Sequence, residues 1–498
     1  MRGGDRIRCS TFRRIEFTME QLLKTNPVWM TTVITFFLLW CPVFSAVEDG
    51  IVIVVVNQKT FQHAEEARLL AEDITEQLRK INQKGAVHVA TDDWEDEAAW
   101  TYYPLLEKLS SRHGSNSSWC VFLDEKSLLN LQKLLSVLQK YPKDKELFLG
   151  RAVWDRQDTI IHHFDSVDRK KPFLYPDTRA GMALSTPLIK RLTKRWLDAT
   201  TRPKIDFTID AQYEFARFVE SAGIKLTNER TFCVGGEAET CAVTFQPRKT
   251  CVLDQDGELK TEEIHVAVKT CSHFHDERLP VIKDTWLPDA PNHGLYSDRE
   301  DPDWGTVSLG IPNTERGHCG KTLAIIRHVE DLDTSMKWLA IVDDDTLISI
   351  PRLKSLLACY DSDEMVAIGE RYGYMAVKRH GYDYITGGGG MIFSRALVEE
   401  LADPDVCSCP TIDTPDDMFL GVCLARLSVP VTHAEGFHQS RPMDYPPELL
   451  QPEPLISFHK HWMIDPREIY AQWLDDSPNV MERQQRKEPS TSKGHSEL

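Results

Sequence analysis

The chain contains a copy of part of itself. Residues Trp119 to Gly150 align without a gap on Trp338 to Gly369 at a constant offset of 219 positions. Nine identities recur (Trp119, Asp124, Leu128, Leu134, Ser136, Leu138, Tyr141, Asp144 and Gly150), where composition alone gives about two. Repetition of so long a stretch restricts the fold to two related units in tandem. In both copies an apolar run ends in an acidic cluster. Helical spacing of apolar residues follows, at Leu128, Leu131, Leu134, Leu135 and Leu138 in one and at Leu347, Ile350, Leu353, Leu356 and Leu357 in the other. Strand, acidic turn, helix is an α/β pattern. With shifted offsets the match extends to GMALS (181–185) against GMIFS (390–394) and to Asp210 against Asp417. Upstream, Ile51 to Val56 with His63 parallels Ile264 to Val268 with His275 more weakly. Two tandem α/β (Rossmann-like) domains are expected, at 47–245 and 261–475, joined by a linker at 246–260.

The copies differ at the acidic turn. Asp343-Asp344-Asp345 in the second is Asp124-Glu125-Lys126 in the first. Three adjacent carboxylates at a strand end repel one another and suit a hard divalent cation with a nucleotide diphosphate. A lysine in the third place puts a cation where the metal needs an oxygen, so the first copy is expected to be degenerate, with a structural or acceptor-handling role.

The formal charge of −18 excludes a phosphate backbone as an obvious partner, and no basic patch overrides it, so no nucleic acid is expected. The apolar run Val28 to Val47 follows Lys24, Arg13 and Arg14 and reads as a signal sequence over 1–46. Its length also suits a membrane anchor, but Thr31, Thr32 and Thr35 dilute it and Ser45-Ala46 offers a cleavage site. Without Cys9 and Cys41 ten cysteines remain, an even number that suits disulfides in an oxidising lumen. Asn116-Ser117-Ser118 is a glycosylation sequon, making Asn116 a candidate acceptor. Residues 476–498 are polar and are expected to form a flexible tail. The tail ends His495-Ser496-Glu497-Leu498, three positions of four in a retrieval tetrapeptide, implying a retrieval receptor and residence in the endoplasmic reticulum lumen.

Five ordered segments of the second half carry a resemblance: VAVKTCSHFHDERLPVIKDTW (266–286), WLAIVDDDTL (338–347), YITGGGGMIFS (384–394), PDDMFLG (415–421) and VPVTHAEGFH (429–438). Together they resemble the fringe-type family of inverting β1,3-glycosyltransferases over Ile264 to Trp473. IPNTERGHCGKT (311–322), ERYGY (370–374) and ISFHKHW (456–462) look most similar to the branch that adds glucose to O-linked fucose on thrombospondin type 1 repeats. The resemblance implies a GT-A fold with a UDP-sugar donor at the strand ends, and fucosylated folded protein domains as acceptor. It implies Mn²⁺ held by Asp345 and His438, contacts to the sugar nucleotide from Asp344 and Arg278, and Asp417 as general base with Asp416 as its structural neighbour. The Gly387 to Gly390 run lacks the lysine of a P-loop and reads as a tight packing site beside the acceptor. Donor choice stays open between glucose, galactose and N-acetylglucosamine. A non-catalytic carbohydrate-binding protein is the alternative from another class, and the intact DDD, PDD and FH set argues against it.

Overall fold

A computed structural model of the chain describes residues 50–94, 98–162, 171–235, 240–247, 258–332 and 335–476. The Val28 to Val47 run, most of the 246–260 linker and the tail from 477 lie outside the described residues. Among those described, no helix is long and apolar enough to cross a membrane.

The two copies build the same sheet. In the first, the strand order is Gly85–Val89, Gly50–Val56, Ser117–Asp124, Met182–Ser185, Phe148–Gly150, Leu226–Asn228. In the second it is His293–Ser297, Ile264–Lys269, Trp338–Asp343, Met391–Ser394, Ala367–Gly369, Val431–His433, with Val307–Ser308 added at the edge beside His293–Ser297. Met182–Ser185 and Met391–Ser394 run antiparallel to both neighbours, and the remaining pairs are parallel. Register is shared as well: Ile51 pairs with Trp119 and Ile264 with Trp338. Continuous apolar text such as GIVIVVV is what a strand covered on both faces requires. Trp119 and Trp338 are buried.

The helices of the aligned segment begin later than their spacing suggests, at Leu131 and Ile350. Leu128 and Leu347 belong to short strands, Ser127–Leu129 and Thr346–Ile348. Each short strand pairs antiparallel with a distant one, Val243–Phe245 in the first copy and Ser457–His459 in the second. The match therefore runs further than the aligned text, since Phe245 faces Ser127 as His459 faces Thr346.

The described residues all fall in one compact unit, and the copies meet along a polar seam. Gln58 donates to the carbonyl of His433 (3.0 Å) and accepts from its N–H (2.6 Å), Lys126 pairs with Glu453 (2.9 Å), and His63 bonds Tyr360 (3.0 Å). One strand crosses the seam: Phe207–Thr208 of the first copy pairs antiparallel with Arg371–Tyr374 of the second, which also pairs with Tyr382–Ile385.

Candidate active site

The strand Trp338–Asp343 delivers its three aspartates to the end of the sheet, where their environments separate them. Asp344 is turned inward: it accepts from Thr270 (2.7 Å) and Arg278 (2.6 Å), and burial pushes its carboxyl up to about 6 against the pull of that guanidinium. Asp343 and Asp345 stay half-buried. With His459 they form the one group among the described residues whose ligand atoms could hold a metal ion, all within 4.8 Å of one another. Burial would raise Asp345, but the His459 imidazole at 3.1 Å and Arg278 at 3.1 Å outweigh it and hold it well below the usual carboxylate range.

The chemistry of this donor set fits a divalent ion. His459 Nδ1 lies 3.1 Å from the carbonyl of Gln439, a bond that aims Nε2 at the carboxylates, the usual orienting arrangement behind a metal-binding imidazole. The ring can lie there because position 388 is glycine, where a Cβ would stand 2.3 Å from His459 Nδ1. A second imidazole nitrogen, Nε2 of His461, is buried without a hydrogen-bond partner. Beside the cluster, Lys269, Thr270, Phe274, Arg278, His318 and Lys321 line a cavity of about 330 Å³. Its basic side chains suit a diphosphate.

Asp417 sits in the first turn of the helix Asp416–Leu427. The preceding loop is stapled by Cys319–Cys409 and Cys407–Cys423, the second of which ends in that helix. Asp416 is bound to Lys269 (2.6 Å) and Thr322 (2.6 Å) and serves as an anchor. Lys269 also reaches Asp343 (3.1 Å), so one buried ammonium ties the helix that carries Asp417 to the acidic strand end. Asp417 itself meets no cation at bonding distance among the described contacts, and burial, helped by the Asp416 charge, pushes its carboxyl up to about 6. Gly387 packs next to it, as a Cβ there would lie 3.8 Å from Asp417 Cβ and 3.9 Å from Lys269 Nζ.

The structure thus brings Asp343, Asp344, Asp345, Arg278, Asp416 and Asp417 together, and places His438, expected beside the metal, outside the candidate metal group. That ring is buried, stacks on Phe458 (centroids 4.8 Å apart), and bonds through Nδ1 to the carbonyls of Gly436 (3.1 Å) and Ser457 (3.2 Å). It lines a cavity at the seam between the copies, and the imidazole grouped with Asp343 and Asp345 is that of His459. Both histidines follow a phenylalanine, and His459 was in view within ISFHKHW. Its pairing with Thr346 is the signal that selects it. Asp343 already belongs to the acidic triplet, whereas nothing in the local text marks Lys269 as a site-organising group. Asn116 lies exposed on the turn before Ser117–Asp124. Of the ten cysteines expected to pair, Cys120 and Cys271 are free and buried.

In the first copy two of the three positions of the candidate metal group are replaced, Asp124 being kept opposite Asp343. Lys126 stands for Asp345 and Phe245 for His459, and the Lys126 ammonium lies 5.1 Å from the centre of the Phe245 ring. Asp210 caps its helix by accepting from Tyr213 (3.1 Å) and bonds His162 (3.1 Å). On the shared Thr-x-Asp text (208–210 and 414–416) it matches Asp416, with Ala211 opposite Asp417. These strand ends line the cavity at the seam, closed by Glu370, Arg371, Glu435 and His438 of the second copy.

A fringe-like family model matches residues 53–213 and again 259–480, one match per copy. The chain is 44% identical to the beta-1,3-glucosyltransferase of Homo sapiens over 440 residues, covering 88% of this chain and 87% of that protein. It is 27% identical to the fringe glycosyltransferase of Drosophila melanogaster over 224 residues, 40% of this chain and 54% of that one. Among solved structures, the WbbM bifunctional glycosyltransferase covers 88% of this chain at 9% identity with a TM-score of 0.28.

Proposed function

The chain belongs to the fringe-like family, and on that premise we propose that it moves glucose from UDP-glucose, with inversion, to the 3-hydroxyl of O-linked fucose on thrombospondin type 1 repeats. The observation that carries this reading is that, among the described residues, only the second copy keeps a carboxylate–imidazole donor set, tied through Lys269 to the helix that bears a half-buried carboxylate with no cation at bonding distance. We assign Mn²⁺ to Asp345 and His459, with Asp343 completing the set. When bound, the ion neutralises the departing diphosphate. Arg278 and Lys321 hold the donor's phosphates in the adjoining cavity, and Asp344 fixes Arg278 from beneath. Asp417 takes the proton from the fucose hydroxyl as it attacks the anomeric carbon from the opposite side, the single displacement that inverts.

The test is transfer to a fucosylated repeat from UDP-glucose, UDP-galactose and UDP-N-acetylglucosamine in parallel. UDP-glucose is expected to be used at least about tenfold faster than either rival, and preference for another donor would overturn the assignment. The relative named a glucosyltransferase is 44% identical to this chain, whereas the fringe relative is 27% identical, and this supports glucose.

We further propose residence in the endoplasmic reticulum lumen, with retrieval through His495 to Leu498 and a glycan on Asn116. A chain lacking Glu497 and Leu498 is expected in the culture medium. Retention unchanged by that deletion would point to an uncleaved anchor instead.

A further inference from the structure

The helix that bears Asp417 lies against a strand of tyrosines, and glycine permits the approach. Asp417 and Gly421 are one turn apart and share a face. A Cβ at 421 would stand 2.6 Å from Tyr384 Cβ and 3.0 Å from Tyr382 Cδ2. The face carrying the base is therefore turned toward the strand Tyr382–Ile385.

In the sheet that crosses the seam, Tyr384 pairs with Tyr372, Tyr382 with Tyr374, and Tyr374 in turn with Phe207. Directly opposed residues on antiparallel strands project from the same face, so all five rings share one side. Three ring-to-ring steps lead outward from Asp417: Tyr384 to Tyr382 at 6.5 Å, Tyr382 to Tyr374 at 5.5 Å, and Tyr374 to Phe207 at 5.2 Å. Exposure grows along the way, from 5% at Tyr384, through half-buried Tyr382 and Tyr374, to 49% at Phe207. Phe207 packs on Tyr374 on one side and leaves about half its surface to solvent, and this last rung comes from the first copy.

We propose that this strip is the acceptor-docking surface, and that the first copy, through Phe207, grips the folded protein that carries the acceptor sugar. The inference rests on the acceptor reading above. The occupant follows from continuity with the site, because the attacking hydroxyl must touch Asp417. Tyr384 is buried beneath the helix, so a single sugar at Asp417 reaches along the strip no further than half-buried Tyr382, and Tyr374 and Phe207 lie beyond it, within reach of the attached protein. Aromatic rings supply rigid contact area at small entropic cost, which suits a surface that must recognise a folded domain.

Phe207→Ala and Phe207→Leu, the latter keeping an apolar strand residue without the ring, are compared with Phe207→Tyr using a fucosylated thrombospondin repeat and a small aryl fucoside. Expected for Ala and Leu is a fall of about tenfold in the ratio of kcat/KM for the protein to that for the fucoside, carried by KM for the protein, with Phe207→Tyr close to wild type. An unchanged ratio in folded Ala and Leu variants would overturn the proposal, as would equal losses with both acceptors. Wild-type enzyme that glucosylates neither acceptor would defeat the acceptor reading itself, and this strip would lose its occupant with it. That outcome is distinct from an active wild type with insensitive variants.

Discussion

Asp417→Asn is expected to lower kcat by about 10²–10⁴-fold while leaving donor binding in place. The amide has nearly the same shape and cannot take the acceptor's proton, so UDP-glucose should still protect the enzyme from thermal unfolding. The wild-type pH profile supplies the second half of the test. Asp417 faces Asp416 and Lys269 on one side and the hydroxyls of Tyr382 and Tyr384 on the other, and burial raises its carboxyl to about 6. A base must be ionised to act, so kcat/KM should fall as pH drops through about 6 and level off above it. Residual activity of Asp417→Asn that kept the same acidic limb would assign the base elsewhere. Asp210→Asn should spare the chemical step, because among the described residues the first copy has no group that could hold a metal ion for that carboxylate to serve.

The second large effect concerns the two histidines. Asp345→Ala and His459→Ala should each cut transfer by at least about 100-fold and move the Mn²⁺ requirement to far higher concentration. His438→Ala should cost stability through the lost stack on Phe458 and the two lost carbonyl bonds, yet titrate with Mn²⁺ as wild type does. Wild-type transfer undiminished in chelator would remove the metal from the mechanism. Weakened Mn²⁺ dependence in His438→Ala with none in His459→Ala would make His438 the ligand instead.

That histidine shows where sequence reading stops. The acidic turn, the Asp416-Asp417 pair and Arg278 are local features: an apolar run into carboxylates, or a short motif at the start of a helix, is readable in a few consecutive residues. The duplication was readable because identity survived in the buried strand and helix positions that carry packing. His438 and His459 lie 21 residues apart in similar Phe-His text. They are separated only by an antiparallel pairing with residues more than a hundred positions upstream. Lys269 was invisible for the same reason. It closes a strand whose one other polar residue is His265, and its value comes from Asp343 and Asp416, which the fold brings to it. The even cysteine count failed because Cys120 is packed in a strand core, where a thiol serves as a small apolar side chain.

The strand that crosses the seam has a consequence for how the duplication could ever be undone. Phe207–Thr208 occupies the hydrogen-bonding edge of Arg371–Tyr374. A chain beginning at residue 261 would present that edge bare, with a row of unpaired amides and carbonyls flanked by tyrosines, a template for pairing with other chains. The second copy holds every group proposed for the chemistry, yet removing the first would open a sheet beside the helix that carries Asp417, so the two copies are expected to stay together as one folding unit.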